Sequence, residues 1–132
     1  MRPEMSYYFS KTIEMPFSDA ITHVTDALAA KGFGVLTTID VSATMKAKLG
    51  VEVSPSTILG ACNPNLARRA LEVEDKIGTM LPCNVVVREA APGKVEVAAV
   101  DPVASMASVD NPQLGEVAAG VRDLLAEIVR KL

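Results

Sequence analysis

Two runs of alternating apolar character, Cys83–Glu89 and Lys94–Val100, are separated only by Ala90-Ala91-Pro92-Gly93. Four residues are too few for a crossover between parallel strands, which takes a dozen or more, but they suit a β-hairpin. The two runs are therefore expected to pair antiparallel, and an all-parallel sheet with helices on both faces is disfavoured.

The rest of the chain is read around that hairpin. In Tyr7–Glu14, Tyr7, Phe9, Lys11 and Ile13 fall on one face and the alternate residues on the other, which predicts a first strand ended by Pro16. From Phe17 to Lys31 the apolar residues Ala20, Ile21, Val24, Ala27 and Leu28 keep helical spacing, and Gly32 supplies the stop. Phe33–Val41 reads as a strand, and Ser42 as the N-cap of a short helix, Ala43–Leu49, closed by Gly50. Ser56–Cys62 reads as the next strand. Asn63-Pro64 then opens a helix through Leu71, since Asn caps and Pro tolerates the first helical position. Asp101-Pro102 ends the last hairpin strand, and a loop containing Met106 follows. Asn111-Pro112 repeats the cap-plus-proline signal before a final helix whose inward residues are Val117, Val121, Leu125 and Ile128. The helices are amphipathic, so the expected fold is α+β, a two-layer sandwich of a mixed or antiparallel sheet with helices packed on one face. Residues 1–5 read as a flexible tail and 6–132 as one domain, with no repeat or low-complexity linker between them.

Composition bounds the function. The 132 residues carry a net charge of −3, with Lys and Arg scattered, so no basic patch of the kind that tracks phosphates is expected and nucleic acid is not an expected partner. No run approaches the roughly 20 apolar residues of a membrane span, and no apolar run of signal-peptide length follows Arg2. The expectation is a cytoplasmic protein without a membrane partner. Its two cysteines, Cys62 and Cys83, are then expected as reduced thiols.

One set of segments is distinctive. Ile58-Leu59-Gly60-Ala61-Cys62-Asn63-Pro64 is followed by Ala67, Ala70-Leu71 and Gly78, then by Leu81-Pro82-Cys83-Asn84-Val85-Val86-Val87-Arg88-Glu89, and later by Asp101-Pro102. This pattern resembles the bacterial and archaeal family catalogued as domain of unknown function 302, over nearly the whole chain from Met5. Met80 stands where members of that family often carry Leu. The resemblance implies a βα(β)4α-type fold, usually as a homodimer, and brings no established reaction, substrate or catalytic residue.

Candidate chemistry centres on the two cysteine motifs. Cys62 ends a strand just before a helix start, where the free N–H groups of the first turn favour a thiolate. Cys83 begins the next strand. An antiparallel pair brings the end of one strand and the start of the next to one edge of the sheet; a parallel pair separates them. If they meet, Cys62, Cys83, Asn63 and Asn84 outline a ligand or thiol site. Two sulfurs alone make no tetrahedral zinc site, and neither metal nor cofactor is assigned by the residues. The single histidine, His23, falls outside the apolar stripe of its helix beside Asp19 and Asp26, a solvated position. Glu72, Glu74 and Asp75 form an acidic run whose ordinary role is solvation, and no phosphate-binding glycine loop occurs.

Three functions fit these features. The first is a non-catalytic, homodimeric module that binds a small molecule near Cys62 and Cys83. The second is a thiol-based redox or soft-metal-handling protein using the same pair, and the third a structural or regulatory dimer with no ligand.

Overall fold

The computed structural model describes residues 6–132, so the tail expected at 1–5 lies outside the described residues. Five strands, β1 (Tyr8–Glu14), β2 (Gly34–Asp40), β3 (Ser56–Cys62), β4 (Cys83–Ala91) and β5 (Lys94–Val100), form one sheet in the order β1-β5-β4-β3-β2. Every neighbouring pair runs antiparallel. The hairpin turns at Gly93, whose φ of 74° is open to glycine at little cost. No parallel pair occurs among the described strands, so of the two sheet types expected the antiparallel one is realised.

Five helices complete the fold: α1 (Phe17–Ala29), α2 (Val41–Leu49), α3 (Pro64–Val73), α4 (Pro102–Ser105) and α5 (Pro112–Arg130). Alternation along the strands turns Leu59, Ala61, Val85, Val87, Val95 and Val97 to one side, where they are buried. Ala20, Val24 and Leu28 of α1, with Leu125, Ile128 and Val129 of α5, pack into that same apolar cluster. Both long helices therefore cover one face. Ile21 and Val121, expected inward, sit half-buried at the cluster's margin. A second, smaller cluster joins Ala70 of α3, Ile77, Met106 after α4, and Leu114, Val117 and Ala118 of α5. The sheet core and this satellite cluster meet near the Cys62 and Cys83 ends of β3 and β4.

Several local readings change. Asp40, not Ser42, caps α2: its carboxylate accepts from the Ala43 N–H at 2.9 Å and from the Ser42 hydroxyl at 2.8 Å. Those two bonds hold the Asp40 carboxyl below the usual carboxylate range. Asp fills this role well because its oxygens reach the free N–H groups of the first turn. His23 is half-buried, with Nε2 3.3 Å from the main-chain oxygen of Leu132, because the end of α5 lies alongside α1. The segment after Asp101-Pro102 is the short helix α4. Asp101 caps it and Pro102 takes its first turn, the arrangement also found at Asn63-Pro64 and Asn111-Pro112.

The acidic run is consumed by pairing. Glu72 meets Arg68 at 2.9 Å, Glu74 accepts from the Asn111 side chain at 3.1 Å, and Asp75 lies 3.4 Å from Lys76.

Candidate functional site

Because β3 and β4 are antiparallel, the end of one and the start of the other share an edge of the sheet. The register pairs Ala61 with Cys83 and Gly60 with Asn84, so Cys62 lies one residue beyond the partner of Cys83. Alternation puts Cys83 on the helix-covered face, where it is 8% exposed. Cys62, as the last residue of β3, is half-buried and comes to the rim of the same hollow.

That hollow lies between the sheet edge, α3, α4 and α5; it is small, with room for about 30 Å³, and its walls are almost wholly apolar. Phe33, Leu66, Met106 and Val117 supply much of the lining, with both cysteines at the sheet side. It lies where the two hydrophobic clusters meet, because α3 and α4 fold back on α5 without filling the space above Ala61 and Cys83.

Asn63 borders the cavity but is committed structurally. Its Oδ1 accepts from the Leu66 N–H at 3.4 Å and its Nδ2 donates to the Lys31 carbonyl at 3.5 Å, tying the start of α3 to the end of α1. That end is shaped by Gly32, whose φ of 84° lets the Phe33 N–H return to the Leu28 carbonyl at 2.9 Å. Asn63→Ala is expected to cost about 1 kcal/mol in urea denaturation, with most of it recovered in Asn63→Asp, which keeps the cap acceptor. Equal losses in both variants would place the effect in the Lys31 contact.

Asn84 points the other way. It is exposed, and it lines a second, larger hollow of about 310 Å³ that shares Leu81, Pro82, Cys83, Pro102 and Met106 with the first. Cys62, Asn63 and Cys83 thus gather at the apolar cavity, and Asn84 stands outside it across a common wall.

A family model described as domain of unknown function DUF302 matches residues 9–132. The chain belongs to the DUF302 family. Its fold is also that of a solved relative, the crystal structure of an uncharacterized conserved DUF302 protein from Bacillus stearothermophilus. The two share 27% identity and a TM-score of 0.86, over 95% of this chain and 97% of the other. No curated protein matches the chain. The resemblance read from the Ile58–Pro64 and Leu81–Glu89 segments is therefore a true family membership.

In this DUF302 chain the environment of Cys83 is chemically distinctive. Burial, and secondarily the charge of a nearby Cys62 thiolate, pushes the Cys83 thiol up from 9.0 to about 11. Folding thus favours the protonated form. The resulting stability is fully present below the unfolded pKa near 9 and is lost as pH rises through about 11. Stability should fall by about 2–3 kcal/mol across that window. Urea midpoints measured from pH 8.5 to 11.5 test this, and the slope should flatten in Cys83→Ala. An unchanged slope in that variant would assign it to other groups.

Sequence reasoning missed the roles of Phe33, Met106 and Pro102 in walling the cavity, and of Thr79 and Met80 of the 3-10 turn Ile77–Met80 in walling the outer hollow. Pro102 was legible as a helix start. Met106 was not, because nothing local says that a methionine after a four-residue helix faces inward. Among the described residues, no group of three or more His, Cys, Asp or Glu is placed to hold a metal ion, and no helix is long and apolar enough to cross a membrane.

Proposed function

We propose that this protein is a small, non-catalytic binding module whose ligand sits near Cys62 and Cys83. The observation that supports this reading is the pair of adjoining hollows at that sheet edge. The apolar one has room for only about 30 Å³, but it shares a wall with the outer one of about 310 Å³, at the lower end of the size range of small-molecule sites. An enzyme would also need an acid–base or nucleophile–base pair, and the imidazole of His23 is engaged at the main-chain oxygen of Leu132 and does not line the cavity. The dithiol alternative is weaker. Cys62 and Cys83 are offset by one residue and start from opposite faces of the sheet, whereas a disulfide needs side chains directed at each other.

The module acts as a single domain in the cytoplasm and as a homodimer. The aromatic residues give little support for the dimer, since Phe33 is buried and only Tyr7, 68% exposed, stands clear. Better support is the apolar surface on and after the edge strand, where Leu36 is 66% and Leu49 70% exposed, with Ile39, Val51 and Val53 nearby in sequence. Sedimentation at micromolar concentration should give twice the 13.9 kDa chain mass; a single monomer species would remove this part.

Methyl NMR with a small apolar probe such as cyclohexane tests the site. Saturable shifts are expected at Leu81 and Met106 of the shared wall, with Val95 and Val97 of the sheet core unmoved. Absent shifts, or shifts spread evenly over both clusters, would defeat the binding reading.

A further inference from the structure

We infer that two copies of this chain join edge to edge, β2 of one pairing antiparallel with β2 of the other, so that two five-stranded sheets become one continuous sheet. This rests on the homodimer reading above and adds which backbone makes the contact. β2 ends the sheet on one side and has β3 as its one hydrogen-bonded neighbour among the described strands. The N–H and C=O groups of its outer side therefore meet no partner strand within the chain. Every residue of β2 except Val35 is exposed.

The two edges of the sheet are not alike. In β1, Lys11 sits mid-strand and its Nζ donates to the Arg130 carbonyl at 2.9 Å, so the end of α5 lies by this strand, and Glu14 closes it. Charge and cover of this kind are the ordinary guard against pairing with another chain. β2 runs Gly34-Val35-Leu36-Thr37-Thr38-Ile39 with no charge and no proline before Asp40, and the Asp40 carboxylate is taken up in capping α2. A bulge at Leu36 is its one irregularity, and it leaves Thr37–Asp40 in regular register with β3.

The side chains around this edge say what covers it. Leu36, Ile39, Met45, Leu49, Val51 and Val53 are all exposed, and α2 buries none of its residues. Together these six present on the order of 500 Å² of apolar surface. That is more than half of the roughly 800 Å² each partner gives to a stable interface, before the backbone of β2 is counted. A second copy fits because a two-fold contact sets the patch against itself. An uncharged strand then meets an uncharged strand, and Lys46 stays paired with Glu52 inside its own chain. Antiparallel pairing about a two-fold axis also gives both copies the same hydrogen bonds.

The test compares the full chain with Thr38→Lys by sedimentation and by amide hydrogen exchange. Thr38 is exposed, so the lysine leaves the fold intact by circular dichroism while setting like charges across the seam. The variant is expected to dimerise at least about tenfold more weakly than the parent. Amides of Thr37–Asp40 that point away from β3 should exchange at least about tenfold faster in it, with β4 unchanged. Leu36→Lys, at the exposed bulge, repeats the test should Thr38→Lys disturb the fold. Tyr7→Ser, beside the other edge, should leave the dimer as it is. A dimer that survives the lysine variants, or whose β2 amides exchange freely, overturns edge pairing and leaves the homodimer reading standing on another face. A parent chain that sediments as a monomer throughout removes both.

Discussion

At neutral pH a thiol reagent should modify one cysteine per chain, Cys62, and leave Cys83 intact until the protein unfolds. The thiolate is the reacting species, and Cys83, with its pKa pushed to about 11, holds little of it at pH 7.5. An ordinary thiol of pKa about 8.5 is roughly a tenth ionised there, so Cys83 should react at least about a hundredfold more slowly on ionisation alone. Burial at 8% exposure slows it further by limiting access. Cys62 is half-buried at the cavity rim, where a reagent reaches it more easily. Mass spectrometry of iodoacetamide-treated protein should show a single adduct at Cys62, absent in Cys62→Ser and retained in Cys83→Ala. A cavity ligand should slow that adduct without changing Cys83. Two cysteines that both react only in denaturant would place Cys62 in the core and take the rim away from the site.

Much of the architecture was legible because local chemistry and tertiary structure agree in this chain. The short link read at Ala90–Gly93, of which only Pro92-Gly93 lies outside the strands, forced an antiparallel pair, and the stripes Val24–Leu28 and Val117–Ile128 carried the one-sided packing. The Asn-Pro starts of α3 and α5 appear as read, each Asn side chain accepting from main-chain N–H groups two or three residues on. What was misread involved a competition between neighbours. Asp40 and Ser42 are both good caps, and only the backbone, extended at Asp40, decides that Asp40 closes the turn. His23 lies off the apolar stripe of α1, but α5 comes alongside it, and no helical wheel of α1 contains that fact.

The site was half legible. That Cys62 and Cys83 share one sheet edge followed from strand direction, which the sequence left open and the sheet order settles. That a cavity lies against them did not follow at all. It arises where two apolar clusters abut imperfectly, through residues as distant in sequence as Phe33, Leu66, Met106 and Val121. Packing defects between elements have no local signature, since each helix is amphipathic whether or not its partner fits. Gly60 could have been a clue, as a glycine inside a strand often marks close approach of other atoms.

The substitution expected to disturb the site most is at Gly60. It is buried in β3 opposite Thr37 of β2 and Asn84 of β4. A Cβ built there falls inside the contact limit of Thr37 Oγ1 and 2.8 Å from Pro82 Cγ. Glycine is needed for space. The Thr37 side chain can rotate, but the Pro82 ring stands at the entry to β4 and moves only with its backbone. Gly60→Ala should therefore cost about 2 kcal/mol in urea denaturation, and Gly60→Val more, as overpacked sites do. Thr37→Ala removes the nearer clash and leaves its own Cβ at an ordinary 3.5 Å, so the double variant should regain part of the loss and no more. The remainder belongs to Pro82. Because Pro82 walls both hollows, its displacement should also open the route to Cys83 and speed its alkylation in Gly60→Ala relative to the parent. Losses at Gly60 and Thr37 that simply add, with Cys83 as protected as before, would show that β2 gives way instead and that the cavity wall does not depend on this glycine.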